Sequence, residues 1–213
     1  DAHILVVAFS LLGSAAVLAF SLLGNVPGTM SIAVVGATGA VGRALARRVH
    51  MSGMTPWLIG RSSDKLSEVS RECGGAPFAA VDMAAVDDIA GALGTPPDDC
   101  RGLAYCAGDI VLKPLKRSKP SDFRACFDLH VVGAAETLKV LEPTLRKNSG
   151  SVVLFSTVAV AQGFANHAIV SSAKGAIEGM TRALAAEWAP KIRVNAVAPS
   201  ISRSGMGECN RRL

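Results

Sequence analysis

The segment Gly36-Ala37-Thr38-Gly39-Ala40-Val41-Gly42 constrains this chain more than any other. Ahead of it lies Ser31-Ile32-Ala33-Val34-Val35, uncharged and rich in branched aliphatic side chains, which reads as a buried parallel strand. Behind it an Ala- and Arg-rich stretch reads as a helix to about His50. The glycines let the backbone turn tightly and come close to a phosphate. The N-terminus of the following helix offers unpaired N–H groups and a partial positive charge. Strand, glycine turn and helix in that order are the context in which such a motif holds a dinucleotide, with Gly36, Thr38, Gly39, Val41 and Gly42 as its contacts.

The next strand, residues 56–59, ends at Gly60-Arg61-Ser62-Ser63. A carboxylate at this place would accept hydrogen bonds from the ribose 2′-hydroxyl of NAD. Arg61 and Ser62 instead suit a 2′-phosphate, so the expected cofactor is NADP(H) rather than NAD(H). Arg61 also reads as a surface residue opening the next helix. Two more strands follow. Residues 78–81 end at Asp82, placed to reach an adenine amino group, and residues 102–106 end at Ala107-Gly108, where small residues let backbone lie against a ligand.

Half of the 213 residues are apolar but only 5% are aromatic. The interior is therefore aliphatic, which suits helices packed closely on a parallel sheet. A net charge of +5 is too mild and too dispersed for a nucleic-acid surface. The densest basic run, Lys113, Lys116, Arg117 and Lys119, reads as a solvated loop. The five cysteines are odd in number and no pair has CxxC spacing, so neither a disulfide frame nor a metal site is expected. That usage fits a reducing compartment.

Residues 4–23 carry no charge. As a helix these twenty residues would span about 30 Å, the thickness of a bilayer core. The expectation is a transmembrane anchor and linker over residues 1–27, followed by a dinucleotide-binding domain over 28–213. A removed targeting signal is the competing reading. Positive charge begins only at Arg43, which places the domain in cytosol, mitochondrial matrix or chloroplast stroma by the positive-inside tendency.

The second half resembles the short-chain dehydrogenase/reductase family. Gly150-Ser151-Val152-Val153-Leu154-Phe155-Ser156-Thr157 is similar to its fifth strand and serine. The run from Ala173-Lys174-Gly175 to Ala186-Glu187 resembles its catalytic helix, and Ile192-Arg193-Val194-Asn195-Ala196-Val197-Ala198-Pro199 its sixth strand and following loop. The resemblance implies an α/β fold, a doubly wound parallel Rossmann sheet of about six strands here. It also implies a substrate-covering segment and a further strand, for which the residues after Pro199 are too few.

In that family a tyrosine hydroxyl exchanges a proton with the substrate oxygen, and a lysine four residues later lowers its pKa and holds the ribose. A serine thirteen residues before the tyrosine binds the substrate oxygen, and an asparagine holds a water relay. Carried over, the lysine is Lys174, which also contacts the cofactor, and the serine position is Thr157. The tyrosine position is Val170, which has no proton to give, the asparagine position is His130, and the proline after strand six is Pro199. The one tyrosine, Tyr105, belongs to a buried strand. His167, seven residues before Lys174, is the nearest titratable substitute, and His130 reads as a packing or hydrogen-bonding residue.

Whether the chain is an enzyme is therefore open at this point. The leading expectation is a membrane-anchored, non-catalytic NADP(H)-binding pseudoenzyme, an accessory subunit of a respiratory or photosynthetic membrane complex. The second is an NADP-dependent reductase or dehydrogenase with an atypical proton donor. The third is a soluble homo-oligomeric nucleotide-binding module.

Overall fold

Among the described residues seven strands, all parallel, form one sheet in the order β1-β7-β6-β5-β2-β3-β4. The computed structural model describes residues 4–7 and 30–200. The strands are β1 (Ile4–Val7), β2 (Ser31–Val35), β3 (Thr55–Gly60), β4 (Phe78–Ala80), β5 (Cys100–Tyr105), β6 (Ser151–Phe155) and β7 (Arg193–Pro199). The helices between them are α1 (Ala40–Met51), α2 (Ser63–Glu72), α3 (Ile89–Leu93), α4 (Pro120–Phe127), α5 (Gly133–Lys147), α6 (Ala159–Gln162) and α7 (Ala168–Trp188). A single π-helical turn, Asp128–Val132, joins α4 to α5.

Alternate residues of β2 feed opposite faces of the sheet, because strand side chains repeat every second residue. Ala33 and Val35 pack with Leu138, Leu141 and Ile177 of α5 and α7 on one face. Ile32 and Val34 pack with Leu45, Val49 and Leu66 of α1 and α2 on the other. Both faces are thus covered by helices, which explains why β2 and β6 are buried along their whole length. The expected doubly wound sheet is present.

Helix α7 ends at Trp188. Ala189 is extended (φ −63°, ψ 148°), as the steric demand of the following proline requires.

The expected N-terminal transmembrane helix is not found. Residues Ile4–Val7 form β1, which pairs in parallel with β7 in the register Ile4↔Ala196 to Val7↔Pro199. Among the described residues no helix is long and apolar enough to cross a membrane. A parallel strand and a membrane helix are both written as uninterrupted aliphatic runs, so periodicity does not separate them. The rest of the anchor expected over residues 1–27 lies outside the described residues. Membrane anchoring, a membrane-protein partner and the compartment inferred from the positive-inside tendency all rested on that helix, and they fall with it. The sheet has seven strands rather than about six because β1 adds an edge.

Strand order reverses between β2 and β5, whose chains continue to opposite sides of the sheet. Loops leaving their carboxyl ends must diverge, and the crevice that opens there is where doubly wound sheets bind ligands.

Candidate functional site

The glycine turn is built into that crevice by backbone contacts. The Gly36 and Ala37 amides both donate to the Ile59 carbonyl, at 2.8 and 3.0 Å, and Cys106 N–H donates to Val35 O at 2.8 Å. Gly36 has φ +78°, and a Cβ there would stand 2.7 Å from the Ala107 nitrogen. A Cβ on Gly42 would run into the Gly36 carbonyl. Only glycine allows β2, the start of α1 and the end of β5 to meet this closely. Gly39 caps α1 with extended backbone, no side chain closes the cap, and the first turn carries no acidic residue. The helix N-terminus is therefore ready for an anion.

A cavity of about 650 Å³ lies over this turn. Its wall includes Gly36, Thr38, Gly39, Val41 and Gly42 from the first crossover, with Arg61 from the end of β3. Ala107, Gly108 and His130 line the middle, and Thr157, His167, Val170, Lys174 and Pro199 the far side. Ser62 and Asp82 do not line it. Ser62 Oγ accepts from Lys65 N–H at 3.4 Å as the N-cap of α2. Asp82 Oδ1 accepts from Ala84 N–H at 3.0 Å within its own turn. Arg61, by contrast, makes no ion pair among the described residues.

Lys174 is half-buried on α7, and its ammonium donates to Phe155 O at 2.8 Å. Burial pulls its pKa down to about 8, offset in part by the nearby Cys126 and Cys106 thiols and the Asp109 carboxylate. Val170, one turn earlier on the same helix face, is 3% exposed and offers only methyl groups to the cavity. Thr157 Oγ1 accepts from Ala159 N–H at 3.3 Å, which leaves its O–H free to donate. His167 occupies the N-cap of α7, with Nδ1 2.8 Å from Ala165 O and its ring edge-on to Phe164. With Nδ1–H donated to that carbonyl, Nε2 is left to exchange a proton.

Tyr105 is in the core rather than on the cavity wall. Its hydroxyl donates to Leu129 O at 2.6 Å, and burial raises its pKa far above the ordinary phenol value. Cys106 does line the cavity, but burial pushes its thiol up to about 12, so it is not a thiolate nucleophile.

His130 sits in the π-helical turn and is 1% exposed. Its Nε2 lies 3.1 Å from Asp109 O and 3.3 Å from Asp109 Oδ1. Burial lowers the imidazole pKa against the opposing effect of Asp109. The hydrogen bond to His130 in turn holds the Asp109 carboxyl below the usual range. The pair is a neutral imidazole beside a carboxylate. The hydrogen-bonding role expected of His130 is present. Its partner was missed, although Asp109 directly follows the Ala107-Gly108 pair. Also missed were the Phe155 carbonyl that holds Lys174 and the bond from Ser156 Oγ to Glu178 Oε1 at 2.7 Å. The sequence gives no signal for these, since they join distant segments.

Residues 30–212 match the family model described as short chain dehydrogenase. The chain is 30% identical to L-xylulose reductase of Bos taurus over 179 residues, which is 82% of this chain and 72% of the relative. A structure described as a short chain dehydrogenase from Escherichia coli CFT073, complexed with NADPH, superposes with a TM-score of 0.77 at 28% identity. It covers 87% of this chain and 82% of that one. Another, described as an NAD(P) dependent gluconate 5-dehydrogenase from Beutenbergia cavernae with bound NADP, gives 0.79 at 26% identity, covering 86% and 76%. These similarities are to proteins named for oxidoreductase activity. They overturn the expectation of a membrane-anchored, non-catalytic accessory subunit.

Proposed function

The chain belongs to the short chain dehydrogenase family, and on that premise we propose that it is an NADP(H)-dependent oxidoreductase interconverting a carbonyl and an alcohol, with the proton carried by a group other than tyrosine. The observation that carries this is the shared wall of one cavity, with the glycine turn and Arg61 on it together with Lys174, Thr157 and His167. The cavity fits the cofactor: its phosphate end is a backbone turn that closes only because residues 36 and 42 are glycine, beside the uncapped N-terminus of α1. Gly36, Thr38, Gly39, Val41 and Gly42 would hold the pyrophosphate, and Arg61 the 2′-phosphate. Ala107, Gly108, Lys174 and Pro199 would line the remainder.

NADPH, when bound, supplies the hydride, and the protein must bind the carbonyl oxygen and deliver one proton to it. The Thr157 hydroxyl donates a hydrogen bond to that oxygen. The Lys174 ammonium, fixed by Phe155 O, adds positive charge at the same end of the cavity. His167 gives the proton from Nε2 while the Ala165 carbonyl keeps the ring oriented through Nδ1. The buried methyls of Val170 exclude water from the wall where the family places its tyrosine.

The direct test is NADPH oxidation by the purified chain with a panel of aldehydes, ketones and ketoses, alongside NADPH and NADH binding by fluorescence. Turnover with preference for NADPH supports the proposal, and binding without turnover on any carbonyl refutes its catalytic half.

A further inference from the structure

One group on the cavity wall has no part in the proposed reaction. Cys126 lies in the last turn of α4 and His130 in the π-helical turn that follows, four residues on and on the same helix face. Asp109 reaches them from the loop after β5. One ligand atom from each of Asp109, Cys126 and His130 lies within 4.8 Å of the others. Cys126 and His130 are 2% and 1% exposed, whereas the Asp109 side chain is 55% exposed.

We propose that Asp109, Cys126 and His130 form a three-ligand site for a zinc-class divalent cation on the wall of this cavity. The argument rests first on the donor set. Thiolate, imidazole and carboxylate together select zinc or cobalt over magnesium and calcium, which take oxygen ligands. The second support is spacing: His130 Nε2 stands 3.3 Å from Asp109 Oδ1, a separation that two ligands of one tetrahedral ion take. The third is rigidity. A Cβ on Gly108 would stand 3.0 Å from Nδ1 and nearer still to Cε1, so the ring is packed against backbone and holds its place.

Ligand atoms around a tetrahedral zinc lie roughly 3.3–3.8 Å apart, so a small rotation of Asp109 and Cys126 completes the site. The charges also balance, since a thiolate and a carboxylate neutralise the ion and the thiol proton leaves to solvent. Three protein ligands leave a fourth position free, and because Asp109 and His130 line the cavity, that position is reached from it.

The test is titration of the reduced full-length chain with Co²⁺ alone, read by the thiolate-to-cobalt charge-transfer band. The expected result is saturation at one ion per chain, displacement by Zn²⁺ and no displacement by Mg²⁺. Cys126→Ser should lose the band, and Asp109→Asn should lose one-to-one saturation. Asp109 is the exposed ligand, so its variant decides the matter if Cys126→Ser does not fold. Absence of the band in the unaltered chain, its persistence in Cys126→Ser, or unchanged binding by Asp109→Asn would each overturn the site. None of these readouts depends on turnover.

Discussion

The Lys174 ammonium donates to the Phe155 carbonyl at 2.8 Å, so α7 is pinned at its first third to the last residue of β6. That bond fixes the amine in surroundings that disfavour charge, where burial holds its pKa down to about 8. Replacing it by an apolar residue of similar length therefore has opposite effects on activity and stability.

Lys174→Met should abolish turnover without lowering the thermal midpoint near neutral pH. In the folded protein this lysine titrates near 8, below its ordinary value of 10.5. Between those two values the unfolded chain holds more protons, so this group adds stability as pH rises through about 8. Urea midpoints of the unaltered chain should show that rise and those of Lys174→Met should lack it. A variant that loses stability equally on both sides of pH 8 would contradict the assignment.

His167→Ala should lower kcat by roughly 10²- to 10⁴-fold, the usual worth of a positioned acid, with NADPH affinity preserved. Adding Val170→Tyr to that variant places a phenol one turn from Lys174 and should recover part of the rate. Steady-state kinetics at saturating NADPH decides both. An undiminished kcat in His167→Ala would remove this residue from the reaction.

Arg61→Ala should weaken NADPH binding about ten- to a hundredfold through loss of charge-assisted hydrogen bonds, and leave NADH binding unchanged. Fluorescence titrations with the two nucleotides separate a 2′-phosphate contact from a general loss of the site, which would weaken both.

Tyr105→Phe should cost about 1 kcal/mol, because the half-buried Leu129 carbonyl loses the phenol as a donor. Turnover per folded molecule should not change. Urea unfolding and kinetics on the same preparation test this, and a collapse of kcat in a folded variant would mean that the phenol takes part after all.

Gly36→Ala should cost roughly 1–3 kcal/mol from the left-handed backbone alone, with the close approach to Ala107 adding to it. Chemical denaturation measures the loss, and NADPH affinity should fall in parallel as the cradle shifts.

The parts of this molecule legible in its sequence are those fixed by short-range chemistry. A glycine turn between an aliphatic strand and a helix has few alternatives, so the crevice and its phosphate end follow from residues 31–50. Helical spacing likewise puts Val170 beside Lys174. Ser62 and Asp82 were harder to place, because short polar side chains at turns choose between a ligand and their own backbone, and both are satisfied locally. Residues 4–7 misled because a parallel strand and a membrane helix can both be written as uninterrupted aliphatic runs, which periodicity does not separate. The Asp109, Cys126 and His130 group could not be read at all, since Asp109 joins it only through the sheet.

A parallel sheet has two outermost strands, and the pairing of β1 with β7 decides which one lies open on that flank. Without Ile4–Val7, backbone N–H and C=O groups of β7 between Ala196 and Ala198 would face outward on that flank, open to a strand of another chain. Residues Ile4–Val7 thus pair within the chain backbone groups of β7 that would otherwise be offered to another strand, and move the open edge outward by one strand.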